Sequence, residues 1–470
     1  MIVSELIQVA SQQFEQKMVE FGKDWDTDRL TADLANQVRM ALQGAFSHAS
    51  REAYKWFLER YDLQEPLIEW QGRMLRFKAV SLKLFLTSFG TIPLERRLYQ
   101  ADAGGPSYVP LDHLWDMDGH FATEDIRQAV CFAMAHMTAE ETEQLLQLCS
   151  LFHPSATAIK HIVEEVSEEM EPHQEALAAT MDASIEVPAE TKVLVASMDG
   201  ANVLLREPGV RRGRPSERPR SQEPDEPPNA TYKNAMVGAI SFYGAVPRDH
   251  KGPERLRSFY SARMPEDRAV TFKQDFERHL EMVESKLDPQ VIRVLLCDGH
   301  RVLWNYADHN ERFDSYEKLV DFYHADEHLS KAAEALFGKN SEEGKRWYTK
   351  YRAILQEQDD GVEALRRSID YYGRTHRLSQ SSRKALAMER TFFRRNKHRM
   401  SYASFRRRGL PIGSGPVEAA CKSLVKTRLC RSGMRWSRQG GQRILNFRCY
   451  VKSGLWKEFW DTYRRLRRSA

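Results

Sequence analysis

The sequence predicts an α/β core, a mixed sheet interrupted by an all-α insertion, behind a mainly helical N-terminal region that contains a small β-hairpin sheet. Three observations carry this. Two strongly apolar stretches, VLVASMDG and VIRVLLCDG, each end in Asp-Gly. Residues 310 to about 404 keep helical spacing almost without a break, and residues 71–110 switch to alternation with a period of two.

Taken in order, residues 1 to about 62 place apolar side chains at helical spacing (LIQVASQQFEQKMVEFGKDW, then TADLANQVRMALQGAFSHASREAYKWFLERY). From 71 to 110 the period changes: the stretch RMLRFKAVSLKLFLTSFGTIPLERRLYQADAGGPSYVPLD, which begins at Arg73, alternates and is punctuated by glycines, and this predicts a small antiparallel sheet. Helices resume at 122. Residues 138–170 read as a helix, a turn around His153-Pro154 and a second helix capped by Ser155, the spacing of a helix-turn-helix and equally of a plain αα-hairpin. The acids on the second helix count against groove reading.

TKVLVASMDGANVLL (191–205) reads as an apolar strand that ends at Asp199-Gly200 and leads into a second strand. Residues 206–232, rich in Pro, Arg and Glu, predict a disordered loop. The strand YKNAMVGAISFYG follows, then a helix over roughly 266–286, then the strand VIRVLLCDG (291–299). After the helical stretch, the loop SYASFRRRGLPIGSG breaks the pattern and a last run of helices begins at Pro416. The domain boundaries expected from this pass are 1–190, 191–305, an insertion over 306–404, and 405–470.

Composition narrows the class. A chain of 470 residues with 41% hydrophobic content can bury several cores. It has no apolar run of about 18 residues, so no membrane span is expected. The N-terminus carries no secretory pattern. Six scattered cysteines without a CxxC pair fit reduced thiols rather than a zinc framework, and the expectation is a soluble cytoplasmic protein.

Charge is unevenly spread. Residues 401–470 hold 17 Lys and Arg against three acids, Glu418, Glu458 and Asp461, although the whole chain is only +4. The basic stretch is interleaved with Phe405, Trp436, Phe447, Tyr450, Trp456 and Trp460. A sustained basic bias with aromatics points to a polyanion, nucleic acid above all.

Three carboxylates stand out against this background. Asp199 and Asp298 each close an apolar strand. Glu418 falls in the first turn of a helix, with Gly415 at the cap and Pro416 at the first position. Each has a plain structural role as well: Asp-Gly makes turns, and a glutamate near a helix start caps it. Together they match what two-metal phosphodiester chemistry requires, carboxylates converging on hard cations about 3.5–4 Å apart. The strand–strand–strand–helix–strand order, with Asp199 on the first strand and Asp298 on the fourth, fits an RNase H-like fold. KLVDFYHADEHL adds Asp321 and His324 on one helix face, read as a hydrogen-bonded pair anchoring the insertion to the core.

The stretches VLVASMDGANVLL, VIRVLLCDGHRVLW, KLVDFYHADEHL and GLPIGSGPVEAACKSLVKTRLCRSGMRWSRQGGQRILN resemble the DDE transposases of bacterial insertion sequences. The resemblance is to the Kra-type branch, which carries a C/DxxH motif between the second Asp and the Glu. It spans roughly 190–455, and the hairpin TSFGTIPLERRLYQ is also similar. The segment LYQADAGGPSYVPLD lacks the cysteines that relatives often carry after that hairpin. The resemblance implies that Asp199, Asp298 and Glu418 form the catalytic triad, holding two Mg²⁺ (or Mn²⁺) ions, and that residues 310–404 are the insertion.

The expected function is metal-dependent cleavage of double-stranded DNA at element ends and strand transfer into target DNA, by a homodimer or higher oligomer. The N-terminal region would bind the DNA ends. Arg406, Arg407, Arg408, Lys422, Lys426, Arg428, Arg431 and Arg435 are the expected phosphate contacts. Trp436 is either a stacking platform for an unpaired base or a core residue. The alternatives are a domesticated DNA-binding protein without catalysis and a structure-selective nuclease of the same fold.

Overall fold

The computed structural model describes residues 2–25, 27–149, 152–206, 232–248 and 252–469. The chain divides into two compact units, Met1–Pro172 and His173–Ala470. This boundary lies before the expected one at 190. The helix Gln174–Ala183 belongs to the second unit, where the Asp182 carboxylate pairs with Arg278 Nε at 2.8 Å and with His279.

In the first unit, helices Ile2–Gly22 and Ala32–Glu59 precede an antiparallel sheet in the order β1 (Leu67–Trp70), β2 (Arg73–Thr87), β3 (Gly90–Gln100). Alternation is the cause: Phe85, Ile92 and Leu94 point inward and join Leu58, Leu111 and Met117 in one core. The pair expected over 138–170 forms as Ala139–Cys149 and Ala156–Met170, with the Ser155 hydroxyl accepting from Ala158 N at 3.2 Å. The second helix buries Ile159, Ile162, Val163 and Val166. Its Glu169 turns to buried Arg127 (2.5 Å) and to His120 (3.0 Å). Glu169, one of the acids that counted against groove reading, thus holds this helix to its own unit.

The second unit is built on a five-stranded mixed sheet in the order β6-β5-β4-β7-β8. β4 (Val193–Leu204) pairs antiparallel with β5 (Tyr232–Tyr243), and β5 with β6 (Arg255–Arg263). β4 also pairs in parallel with β7 (Ile292–Cys297), and β7 with β8 (Glu317–Val320). The helix Val270–Glu284 crosses from β6 to β7 and packs Phe276 over Gly238, where a Cβ would collide with the ring. Apolar runs in β4, β5 and β7 are buried as expected for a central sheet.

Four details differ from the sequence reading. Asp199-Gly200 is not the end of a strand: β4 runs straight through it, because β5 supplies a partner at every residue from Val193 to Leu204. The third strand is RLRSFYSAR, β6. The stretch after residue 310 is not wholly helical, since EKLV forms β8, too short for periodicity to reveal. The helices that follow β8, in the stretch expected as an insertion, are Phe322–Phe337, Glu342–Glu357, Gly361–Thr375 and Gln380–Asn396. Finally, the first half of the expected 401–415 loop is a short helix, Tyr402–Arg407. The loop expected over 206–232 lies, from 207 to 231, outside the described residues.

Among the described residues no helix is long and apolar enough to cross a membrane.

Candidate active site

Strand register sets the site. β4 pairs with β7 as Val193↔Ile292 through Ala196↔Leu295, and β7 with β8 as Val294↔Glu317 through Cys297↔Val320. Continuing the same registers places Asp199, Asp298 and Asp321 level with one another across three adjacent strands. β4 and β7 are neighbours where the chain order reverses, the place where open α/β sheets bind ligands beyond the carboxyl ends of their strands. Asp298 follows the last residue of β7, and Asp199 stands on β4 just past the point where the β7 ladder stops.

Glu418 comes from the short helix Gly415–Ala420, which packs on β4 and β5. The cap is Ser414, one residue earlier than the sequence suggested, and Pro416 sits in the first turn. Glu418 does not cap the helix. Its Oε1 accepts a hydrogen bond from the Ser414 hydroxyl at 2.9 Å, and the side chain is otherwise exposed. The helix continues as a π-helical turn, Cys421–Lys426, packed on β4. Single π turns recur at functional sites because they re-aim the side chains on their face.

Asp199, Glu418, Cys421, Lys422, Lys426 and Thr427 line one cavity of about 540 Å³. Asp199 is half-buried, and its carboxyl is pushed above the ordinary value by burial and by the charge of Asp298. The Gly200 N–H (2.6 Å), the Cys421 thiol and Lys426 pull the other way. Cys421 is the residue the sequence reading missed: one of six scattered cysteines, it hydrogen-bonds Asp199, and burial and that carboxylate push its thiol well up. Asp298 spends Oδ1 on the His300 N–H (3.0 Å), and its carbonyl accepts from Trp304 Nε1 (2.6 Å).

The carboxylates offer hard oxygen donors, and the repulsion between Asp199 and Asp298 is what a cation would neutralise. Asp199 and Glu418 share a cavity that Asp298 does not line. Among the described residues no three of His, Cys, Asp and Glu are grouped closely enough to hold a metal ion. The donor chemistry suits a divalent cation, and the complete ligand set is not assembled.

Asp321 is fully buried and caps the first insertion helix, accepting from His324 N at 2.7 Å. It also accepts from the backbone N–H of Ser414. The bond is to the backbone of His324, not its imidazole. The His324 ring packs edge-on against His328, which stacks on Phe392 and pairs with Glu389 at 2.6 Å.

The expected phosphate contacts separate by environment. Lys422 and Lys426 are exposed in the cavity beside Glu418. Arg406 lines a neighbouring cleft, Arg431 is exposed and Arg435 half-buried. Arg407 is tied to Asp359 (2.7 and 2.8 Å) and Arg408 to Glu317 (2.7 Å). Arg428 is not at the surface: it is 2% exposed and lies over the Trp436 ring at 5.1 Å. Trp436 is half-buried and tied into the fold. Its backbone bonds to Leu204 O and Arg206 N continue β4, and its Nε1 donates to Leu429 O at 2.9 Å. The interleaved aromatics Phe405, Phe447 and Trp460 are buried in helix packing, so they form core rather than a platform for bases.

No family model and no curated protein matches the chain. Among solved structures, it has a weak likeness to the Drosophila P element transposase strand transfer complex, at 12% identity and a TM-score of 0.25, covering 72% of this chain and 80% of that one.

Proposed function

We propose that this protein is a DDE-type transposase of the bacterial insertion-sequence kind, with an RNase H-like catalytic domain that cuts double-stranded DNA at element ends and joins the 3′ ends to target DNA. The observation that carries the reading is the level placement of Asp199 and Asp298 on adjacent strands, with Glu418 sharing Asp199's cavity together with Lys422 and Lys426. The sheet order, with three antiparallel strands followed by a crossover helix and two parallel strands, is what an RNase H-like domain requires.

In this reading Asp199, Asp298 and Glu418 would hold two Mg²⁺ or Mn²⁺ ions. Bound there, such ions supply an activated attacking oxygen and charge neutralisation at the leaving oxygen. The chain's own residues do the rest. Lys422 and Lys426 draw the phosphate backbone to the cavity. Ser414 orients the Glu418 carboxylate. The Cys421 thiol and the Gly200 N–H hold Asp199 in one rotamer. Because two ends must be brought together, the working form is a dimer or larger, acting in the cytoplasm.

The test is cleavage of a supercoiled plasmid carrying the DNA that flanks the coding region, with Mg²⁺ or with chelator. Glu418→Gln, Asp199→Asn and Asp298→Asn should each bind this DNA and lose cleavage and joining by about 10³-fold or more. If helix capping were Glu418's whole role, Glu418→Gln would cost only about 0.5–2 kcal/mol of stability. A folded Glu418→Gln protein that still cuts and joins would overturn the proposal. Cutting without joining would assign a nuclease instead.

A further inference from the structure

A second cavity, of about 690 Å³, lies between the segment that follows Asp298 and the last helix of the insertion. It borders Asp298 through Gly299 and Trp304. Its rim carries three exposed cations from two elements, Arg301 on one side and Lys384 and Arg395 on the other. Among the described residues the side chains of these three make no ion pair and no hydrogen bond. The acid in the lining, Asp308, is already committed to Arg399 at 2.5 Å and to Lys318 at 3.4 Å.

Two apolar side chains face the same cavity: Met388 is 66% exposed, beside the half-buried ring of Phe392. Deeper, Arg399 is 5% exposed, lies over the Trp304 ring at 4.2 Å, and keeps a buried Nε without a partner. Three unpaired cations beside an exposed thioether and an aromatic ring make a poor resting surface for a protein, since like charges repel and the thioether meets water. The combination suits a ligand that is anionic along one edge and flat and apolar on the other.

We infer that this cleft receives a single nucleic-acid strand, with its phosphates on Arg301, Lys384 and Arg395 and its bases against Met388 and Phe392. The volume matches small-ligand pockets and takes a nucleotide or two rather than a duplex. The inference deepens the proposed function, on which it rests for the identity of the nucleic acid: the strand beside Asp298 is the one that leaves the cutting site. It also separates two roles, duplex gripped near Lys422 and Lys426, and unpaired strand held by the insertion.

The test is fluorescence anisotropy in chelator, with a labelled oligothymidylate and a blunt duplex of equal length. The double variant Lys384→Ala/Arg395→Ala should lose about tenfold in oligothymidylate affinity, with the salt slope falling by about 1.4, while duplex affinity stays within about twofold. Lys384→Arg/Arg395→Lys, which keeps both charges, should bind as wild type, and a photocrosslinker at Met388 should capture the oligothymidylate. Unchanged oligothymidylate affinity in the alanine variant, equal loss on strand and duplex, or a wild-type protein that ignores single strands would each overturn the inference. Because no cleavage is read, loss of strand binding in a protein that never cuts DNA would sink the proposed function and leave this cleft's assignment standing.

Discussion

Ser414 links Asp321 to Glu418: its backbone N–H donates to the Asp321 carboxylate and its hydroxyl donates to Glu418 Oε1 at 2.9 Å. The first residue after β8 thereby fixes the loop that aims a glutamate 97 positions later in the chain. Asp321→Ala would leave the buried N–H of Ser414 and the helix-capping N–H of His324 without acceptors. The expected cost is about 2–5 kcal/mol, read by urea unfolding at matched conditions. Ser414→Ala should keep the fold and lower cleavage, and Ser414→Thr should restore it. Equal activity in Ser414→Ala would limit this link to a structural role.

Asp199 is strained by its neighbours. Its carboxyl is raised above the ordinary value by burial and by Asp298, so over a window starting near 3.8 the folded chain keeps a proton that the unfolded chain has released. Stability from this group therefore falls as pH rises through that window. Asp199→Asn should melt higher than wild type at neutral pH, and the gap should close below about pH 4. Mg²⁺ should raise the melting temperature of wild type more than that of Asp199→Asn. A variant less stable than wild type at pH 7 would contradict the sign.

Gly299 explains the second Asp-Gly by packing rather than by a turn. A Cβ at this position would overlap the Phe392 ring, which is already stacked on the His328 imidazole at 3.5 Å and packed edge-on against Phe393 at 5.2 Å. Gly299→Ala should destabilise the second unit by about 1–3 kcal/mol, an overpacking cost. Combining it with Phe392→Leu should recover part of the loss, and double-mutant calorimetry measures the coupling. Additive effects would separate the two residues.

Duplex binding should depend on the cavity lysines more than on the arginine run. Arg407 and Arg408 already hold Asp359 and Glu317, while Lys422 and Lys426 are exposed beside Glu418. Lys422→Ala/Lys426→Ala should lower the salt slope of duplex binding by about 1.8, and Arg407→Ala/Arg408→Ala by clearly less. A steeper loss from the arginine pair would move the DNA path to that loop.

Much of the second unit was legible along the chain. Apolar runs marked β4, β5 and β7 because both faces of a central sheet are buried, and helical period marked the insertion and the crossover helix. Asp199, Asp298 and Glu418 could be singled out because carboxylates at the ends of apolar runs, or alone in a basic stretch, stand against their surroundings. Sequence could not place the strand ends. Asp199-Gly200 reads as a turn, and only pairing with β5 carries the strand through it. EKLV is a strand only because β7 lies beside it.

Charge showed the same division. Composition alone located the basic end of the chain, but burial decided which of its cations can meet a phosphate. Trp436 and Arg428 stack on each other because the backbone of Trp436 extends β4, a contact between residues far apart in sequence. The Cys421 thiol on Asp199, the Ser414 bridge and the cationic cleft of the insertion have no local signature either. Periodicity records which face of an element is buried. Which side chains then meet depends on register and on helix ends, and those are fixed only when the elements pack.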